Sequence, residues 1–167
     1  MTLQELNNLD DDDAINRLLL CCGSHRWARE MIEQRPFQSK EQMIRQAEKI
    51  WENLSKDDWL EAFTHHPKIG DIDSLREKYA STRNWAESEQ SGTKQASDQT
   101  LQKLKKLNEE YEEKYGYIFI VCATGKSADE MLQILESRIG NDPDKELKIA
   151  AREQNKITNI RLEKLLS

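Results

Sequence analysis

Two adjacent histidines, His65 and His66, stand immediately before Pro67, and an isolated Glu89-Gln90 pair follows about two dozen residues later. Imidazole titrates near neutrality, so either histidine is suited to giving or taking a proton. A carboxylate can hold an imidazole in place or bind a hydroxyl, and a carboxamide both donates and accepts hydrogen bonds. Bland readings stand beside the chemical one. Ser55 followed by Asp58 starts a helix that carries Trp59, Leu60 and Phe63 inward, and Pro67 disfavours helical backbone at His66, so that helix ends there. A histidine near a helix C-terminus is often only a cap favoured by the dipole. Adjacent histidines cannot both face one pocket at a helix end, and they lack the i, i+4 spacing that lets two imidazoles share a metal. His25 is the only other histidine, so no multi-histidine metal site is expected. Glu89 taken alone is a solvated acid among many. Arg161 lies in an equally charged helix, but Ile157, Ile160 and Leu165 mark an apolar stripe beside it, from whose edge its head could reach a buried anion.

The elements that must hold these residues are helices. Thr2-x-x-Glu5, Ser39-x-x-Gln42 and Ser127-x-x-Glu130 have capping-box spacing, while Gly23, Gly116 and Gly140 sit where helices would stop. Apolar residues recur at helical spacing at Met43, Ala47, Ile50, Trp51 and Leu54, and again at Leu101, Leu104, Leu107 and Tyr111. These signals predict helices near 3–8, 12–22, 25–34, 40–54, 56–64, 73–80, 98–115, 128–139 and 144–166, the last opened by Pro143 with its φ preset for a first turn. The polar stretch "STRNWAESEQSGTKQAS" (81–97) breaks the pattern. So does "YIFIVCATG" (117–125), an apolar run too short for its own helix and with no second strand to pair with. It reads as an extended segment near 118–123, buried among helices, whose amides need partners other than a sheet ladder, a ligand among them. The expected fold is all-α: one compact domain of about eight to nine helices spanning residues 1–167.

Composition narrows the function. Hydrophobic residues make up 37% and charged residues 34%, with six glycines and three prolines, as suits a helix-rich soluble protein. The net charge is −6 with lysine and arginine dispersed among acids, so nucleic acid is not an expected partner. The one charge block, "DDDD" at 10–13, fits a solvated helix start. No apolar run approaches the roughly 20 residues needed to cross a bilayer, and the N-terminus does not read as a signal peptide. Cys21, Cys22 and Cys122 are odd in number and lack Cys-x-x-Cys spacing, and the final "KLLS" is no peroxisomal address. A reduced, cytoplasmic setting is expected, with no membrane partner.

Four blocks, "HPKIGD", "WAESEQSG", "YGYIFIVCATGKS" and "KITNIRLEKLL", resemble in order and spacing the 2-oxo-4-hydroxy-4-carboxy-5-ureidoimidazoline (OHCU) decarboxylases of urate degradation. The resemblance runs from about residue 10 to the end. Each block is weak alone and fairly specific in combination. It implies an all-helical fold, usually a homodimer, and cofactor-free, stereospecific decarboxylation of OHCU to (S)-allantoin. It selects His66, the histidine immediately before proline, as catalytic with Glu89, and leaves His65 as a neighbour. The substrate-binding set it implies comprises Pro67, Ala86, Glu87, Ser88, Gln90, Ile120, Val121, Cys122, Ala123 and Arg161. Ala86 stands where the family commonly has serine, and Ser88 could substitute from another backbone position. No metal ligand is implied. Two other readings compete: a non-catalytic helical interaction module in which the His-Pro turn is structural, and a metal-dependent hydrolase of cyclic ureides, for which the sequence supplies no ligand cluster.

Overall fold

The structure, a computed structural model, describes residues 1–66 and 93–167, with backbone only for 93–97. Among these residues the fold is all-α, with eight helices and no strand. They are α1 (Leu3–Asn8), α2 (Asp11–Leu19), α3 (His25–Glu33), α4 (Lys40–Glu52), α5 (Lys56–Thr64), α6 (Thr93–Tyr115), α7 (Ala128–Arg138) and α8 (Pro143–Leu165). The helix expected at 73–80 lies outside the described residues. Two compact units are formed: one of residues 1–66, 120–122 and 149–167, the other including described residues 93–119 and 123–148.

Side-chain caps start the helices much as the spacing predicts. Thr2 and Ser55 form reciprocal capping boxes with Glu5 and Asp58. Ser39 and Ser127 accept from the amides of Gln42 and Glu130, but neither box closes: Gln42 Oε1 takes the amide of Gln38, at 2.6 Å, instead of that of Ser39. At the far end of α1, Arg35 donates to the carbonyls of Leu6 (3.0 Å) and Leu9 (2.8 Å) and pairs with Asp11 at 2.7 Å. Those carbonyls would otherwise lack intrahelical partners.

In the first unit α3 packs on α2, α4 and α5. Its core includes Leu6, Leu18, Trp27, Met31, Met43, Trp51 and Phe63, all essentially buried. Three indole N–H groups end on backbone carbonyls: Trp27 on Ala47 (3.3 Å), Trp51 on Ala151 (2.8 Å) and Trp59 on Trp51 (2.9 Å). A buried indole needs such an acceptor, and these bonds fix where α4, α5 and α8 meet.

In the second unit α6 lies on α7, with Leu101, Leu104 and Tyr111 buried. Gly116 ends α6 with φ +83°, a left-handed conformation that favours glycine. Glu146, wholly buried in the first turns of α8, accepts from the Tyr111 hydroxyl, from Arg138 Nε (3.0 Å) and Nη2 (2.5 Å), and from Asn141 Nδ2 (3.1 Å). Burial, and then the bond to the Glu146 carboxylate, push the Tyr111 phenol well above its ordinary range. The Tyr115 hydroxyl closes the α7–α8 turn through the carbonyls of Ile139 (3.0 Å) and Asn141 (2.6 Å).

Candidate active site

His66 is half-buried just past the end of α5. Its amide bonds back to Phe63 O at 3.3 Å, so the helix ends where the proline was expected to end it. The two histidines part company here. The His65 ring lies against Gly23, where an added Cβ would come within 2.4 Å of its Cγ. Gly23 therefore gives close approach to His65, a role that differs from the helix stop expected of it. The His66 ring turns to α8, where its Nε2 meets Gln154 Oε1.

Residues of α8 engage the predicted site at Cys122 and at His66. Glu153 Oε1 accepts the amide of Cys122 at 3.2 Å, a non-ladder partner for the segment 120–122. Ile120 and Cys122 are buried and Val121 is half-buried. Gln154 carries His66. Arg161 follows Gln154 by seven residues, two turns or about 10 Å along the axis, and so lies on the same face. Its Nη1 points to Cys21 O at 3.5 Å. Of the other predicted residues, Ala123 falls in the second unit, while Pro67, Ala86, Glu87, Ser88, Glu89 and Gln90 lie outside the described residues. His25 is placed apart from the site, with Nδ1 3.2 Å from Glu61 Oε2. Glu61 also accepts the His25 amide at 2.9 Å and so caps α3.

The buried stripe of α8 differs from the one expected. Ile157, Ile160 and Leu165 are only half-buried, whereas Ala151, Gln154, Thr158 and Leu162 are no more than 4% exposed. Gln154 and Thr158 escaped the sequence reading because hydropathy periodicity counts only apolar positions. The 3-4-4 spacing Ala151, Gln154, Thr158, Leu162 was the signal that could have found them.

Beside Arg161 lie two thiols. Desolvation pushes Cys21 up to about 11 and Cys22 up to about 12, from an ordinary 9.0. Hydrogen bonds from Ser24 and Thr158, and then the Arg161 charge, pull Cys22 back only in part. Because the folded values lie above the unfolded ones, the contribution to stability is intact below about pH 9 and declines as pH rises through the folded values. Each thiol adds a slope of up to about 1.4 kcal/mol per pH unit. Urea midpoints should therefore fall between pH 9 and 11, and fall less steeply in Cys22→Ala; equal slopes in the two proteins would refute the assignment.

With the geometry in place, the comparisons with known proteins identify the fold's kin. A solved OHCU decarboxylase, crystallised in the presence of (S)-allantoin, superposes with a TM-score of 0.72 and 36% identity over 95% of this chain and 99% of its own. The family profile of OHCU decarboxylase matches residues 7–163. The chain belongs to the OHCU decarboxylase family. It is 41% identical over 89% of its length to the uric acid degradation bifunctional protein TTL of Arabidopsis thaliana, of which it spans only 46%. It is 26% identical over 97% of its length to a 2-oxo-4-hydroxy-4-carboxy-5-ureidoimidazoline decarboxylase of Haloferax volcanii, and covers 94% of that protein. Among the described residues no helix is long and apolar enough to cross a membrane.

Proposed function

We propose that the chain catalyses the decarboxylation of OHCU to (S)-allantoin, with all 167 residues working as one catalytic domain. The observation that carries this reading is the seating of His66 and Arg161 on one face of α8 in a member of this family. The reading is supported by the near-complete coverage of the Haloferax volcanii decarboxylase, a protein of this domain's size. In the reaction the C–CO2 bond breaks and its electron pair passes into the neighbouring ring C=N bond. The ring nitrogen takes up one proton and the ureido-bearing carbon another, while the ring hydroxyl gives one up to become a carbonyl, so that the net gain is a single proton. The substrate's own conjugation delocalises the charge, and the protein's work is to orient the carboxylate and deliver the proton to one face. His66 moves the proton. Glu89 binds the hydroxyl or holds His66, and Gln90 meets the ureido group. By resemblance, the backbone of 120–123 and residues Pro67, Ala86, Glu87 and Ser88 contact the substrate. A homodimer, implied by the sequence blocks, and a cytoplasmic setting, expected from cysteine usage and the absence of targeting motifs, belong to the same reading.

The test is the ultraviolet decay of freshly generated OHCU, with and without the protein, with chiral analysis of the allantoin. Acceleration with a single S enantiomer is expected; racemic product at the spontaneous rate would overturn the proposal. Arg161 supplies a second measurement. Its planar fork suits the carboxylate and ring carbonyls, whereas lysine keeps the charge and loses the bidentate geometry. Arg161→Lys and Arg161→Ala should both lose roughly ten- to a hundredfold in kcat/KM, equivalent to about 1.5–3 kcal/mol. Melting temperatures should move by only a few degrees. An early-melting Arg161→Ala whose folded fraction turns over normally would make Arg161 structural.

A further inference from the structure

Gln154 has no exposed surface, and a buried carboxamide is costly unless its ends are hydrogen-bonded. Both are. Its Nε2 donates to Thr158 Oγ1 at 3.1 Å, and its Oε1 meets His66 Nε2. An amide oxygen can only accept, so the facing ring nitrogen carries the hydrogen. Thr158, one turn further along α8 and 3% exposed, is also hydrogen-bonded with the Cys22 thiol, which holds its hydroxyl in place. For packing alone, leucine or methionine would serve at 154, since the flanking stripe positions are Ala151 and Leu162. The polar choice is explained by what it touches.

We propose that Gln154 is a positioning residue that selects the Nε2–H tautomer of His66 and fixes the plane of its ring, with Thr158 keeping the amide the right way round. The inference rests on the reading of His66 as the catalytic group. In the neutral ring Nδ1 is then the nitrogen without hydrogen, and so the atom that takes up a proton and passes it on. Gln154 itself need not touch substrate.

Nitrogen NMR of imidazole-labelled protein reads the tautomer directly at a pH where the ring is neutral, with the His66 signal assigned by its loss in His66→Asn. The wild type should show Nε2–H and an Nδ1 that carries no hydrogen. Gln154→Leu should give a tautomer mixture and lower kcat about ten- to a hundredfold, with KM within about threefold, as when an orienting partner is removed. Gln154→Glu, which keeps an acceptor oxygen of the same reach, should recover most of kcat and the Nε2–H signal. Wild-type hydrogen on Nδ1 would mean the amide is reversed and would overturn the proposal. So would a kcat loss in Gln154→Leu that follows only the loss of folded protein, or a tautomer change with kcat intact. Turnover that persists in His66→Asn would instead sink the assigned active site, and the ring signal would still decide what Gln154 does.

Discussion

His66→Asn is expected to lower kcat/KM for OHCU by about 10²–10⁴-fold, the usual contribution of a positioned general acid or base. Asparagine cannot titrate and its amide lies near the Nδ1 position, so the substitution removes both proton transfer and the Nε2 bond to Gln154 while keeping a polar side chain of similar width. His65→Asn is the internal control. The His65 ring is exposed and lies against Gly23, and its amide bonds to Ala62 O at 3.2 Å, a bond that any residue keeps. Its turnover should stay within about threefold of wild type, since surface changes away from a site cost little. Initial rates of OHCU decay, with near-ultraviolet circular dichroism to check folding, decide the matter. Equal losses in both variants would mean that the turn, and not the His66 ring, is what matters.

The largest effect on stability is expected at Glu146. Glu146→Leu leaves the guanidinium of Arg138, a residue only 5% exposed, without its carboxylate, and removes the carboxylate acceptor of the Tyr111 hydroxyl as well. Breaking one side of a buried ion pair costs about 3–5 kcal/mol, because the other charge stays desolvated. The Arg138→Leu/Glu146→Leu double variant removes both charges together and should lose markedly less than Glu146→Leu alone. Urea unfolding of the four proteins gives the coupling energy. If the double variant is as unstable as the sum of the singles, the pair is not coupled and this account of the second unit's interior fails.

Most of the helices were legible because their signals are local. Capping serines, apolar positions three and four apart, and Pro143 each act within a turn or two, and α5 begins and ends where they say. Departures arose where the deciding interaction is distant or polar. The 93–97 stretch looked aperiodic, yet α6 begins at Thr93, because good helix formers extend a helix whose later turns bury Leu101 and Leu104. Gly23 looked like a stop because nothing in the sequence says that a residue more than forty positions away will lie against it. Gln154 and Thr158 carried no sequence signal of their own because their partners, His66 and Cys22, are distant in the chain. For the active site, the His-Pro turn by itself marked only a helix end; resemblance chose His66 over His65 and gave Glu89 and Gln90 their roles, and the last two lie outside the described residues.

The aromatic residues divide the chain by colour. The three described tryptophans, Trp27, Trp51 and Trp59, all belong to the unit that holds His66 and Arg161, and each has its indole N–H tied to a carbonyl. The described tyrosines, Tyr111, Tyr115 and Tyr117, all belong to the unit organised by Glu146. Red-edge excitation therefore probes the unit that holds His66 through those three indoles, with Trp85 outside the described residues as the remaining contributor. Tyrosine absorbance on alkaline titration probes the other half through a phenol whose ionisation burial delays. Among the described residues the chain carries two intrinsic dyes, one for each unit, and a Trp85→Phe background leaves the indole signal to the first unit alone.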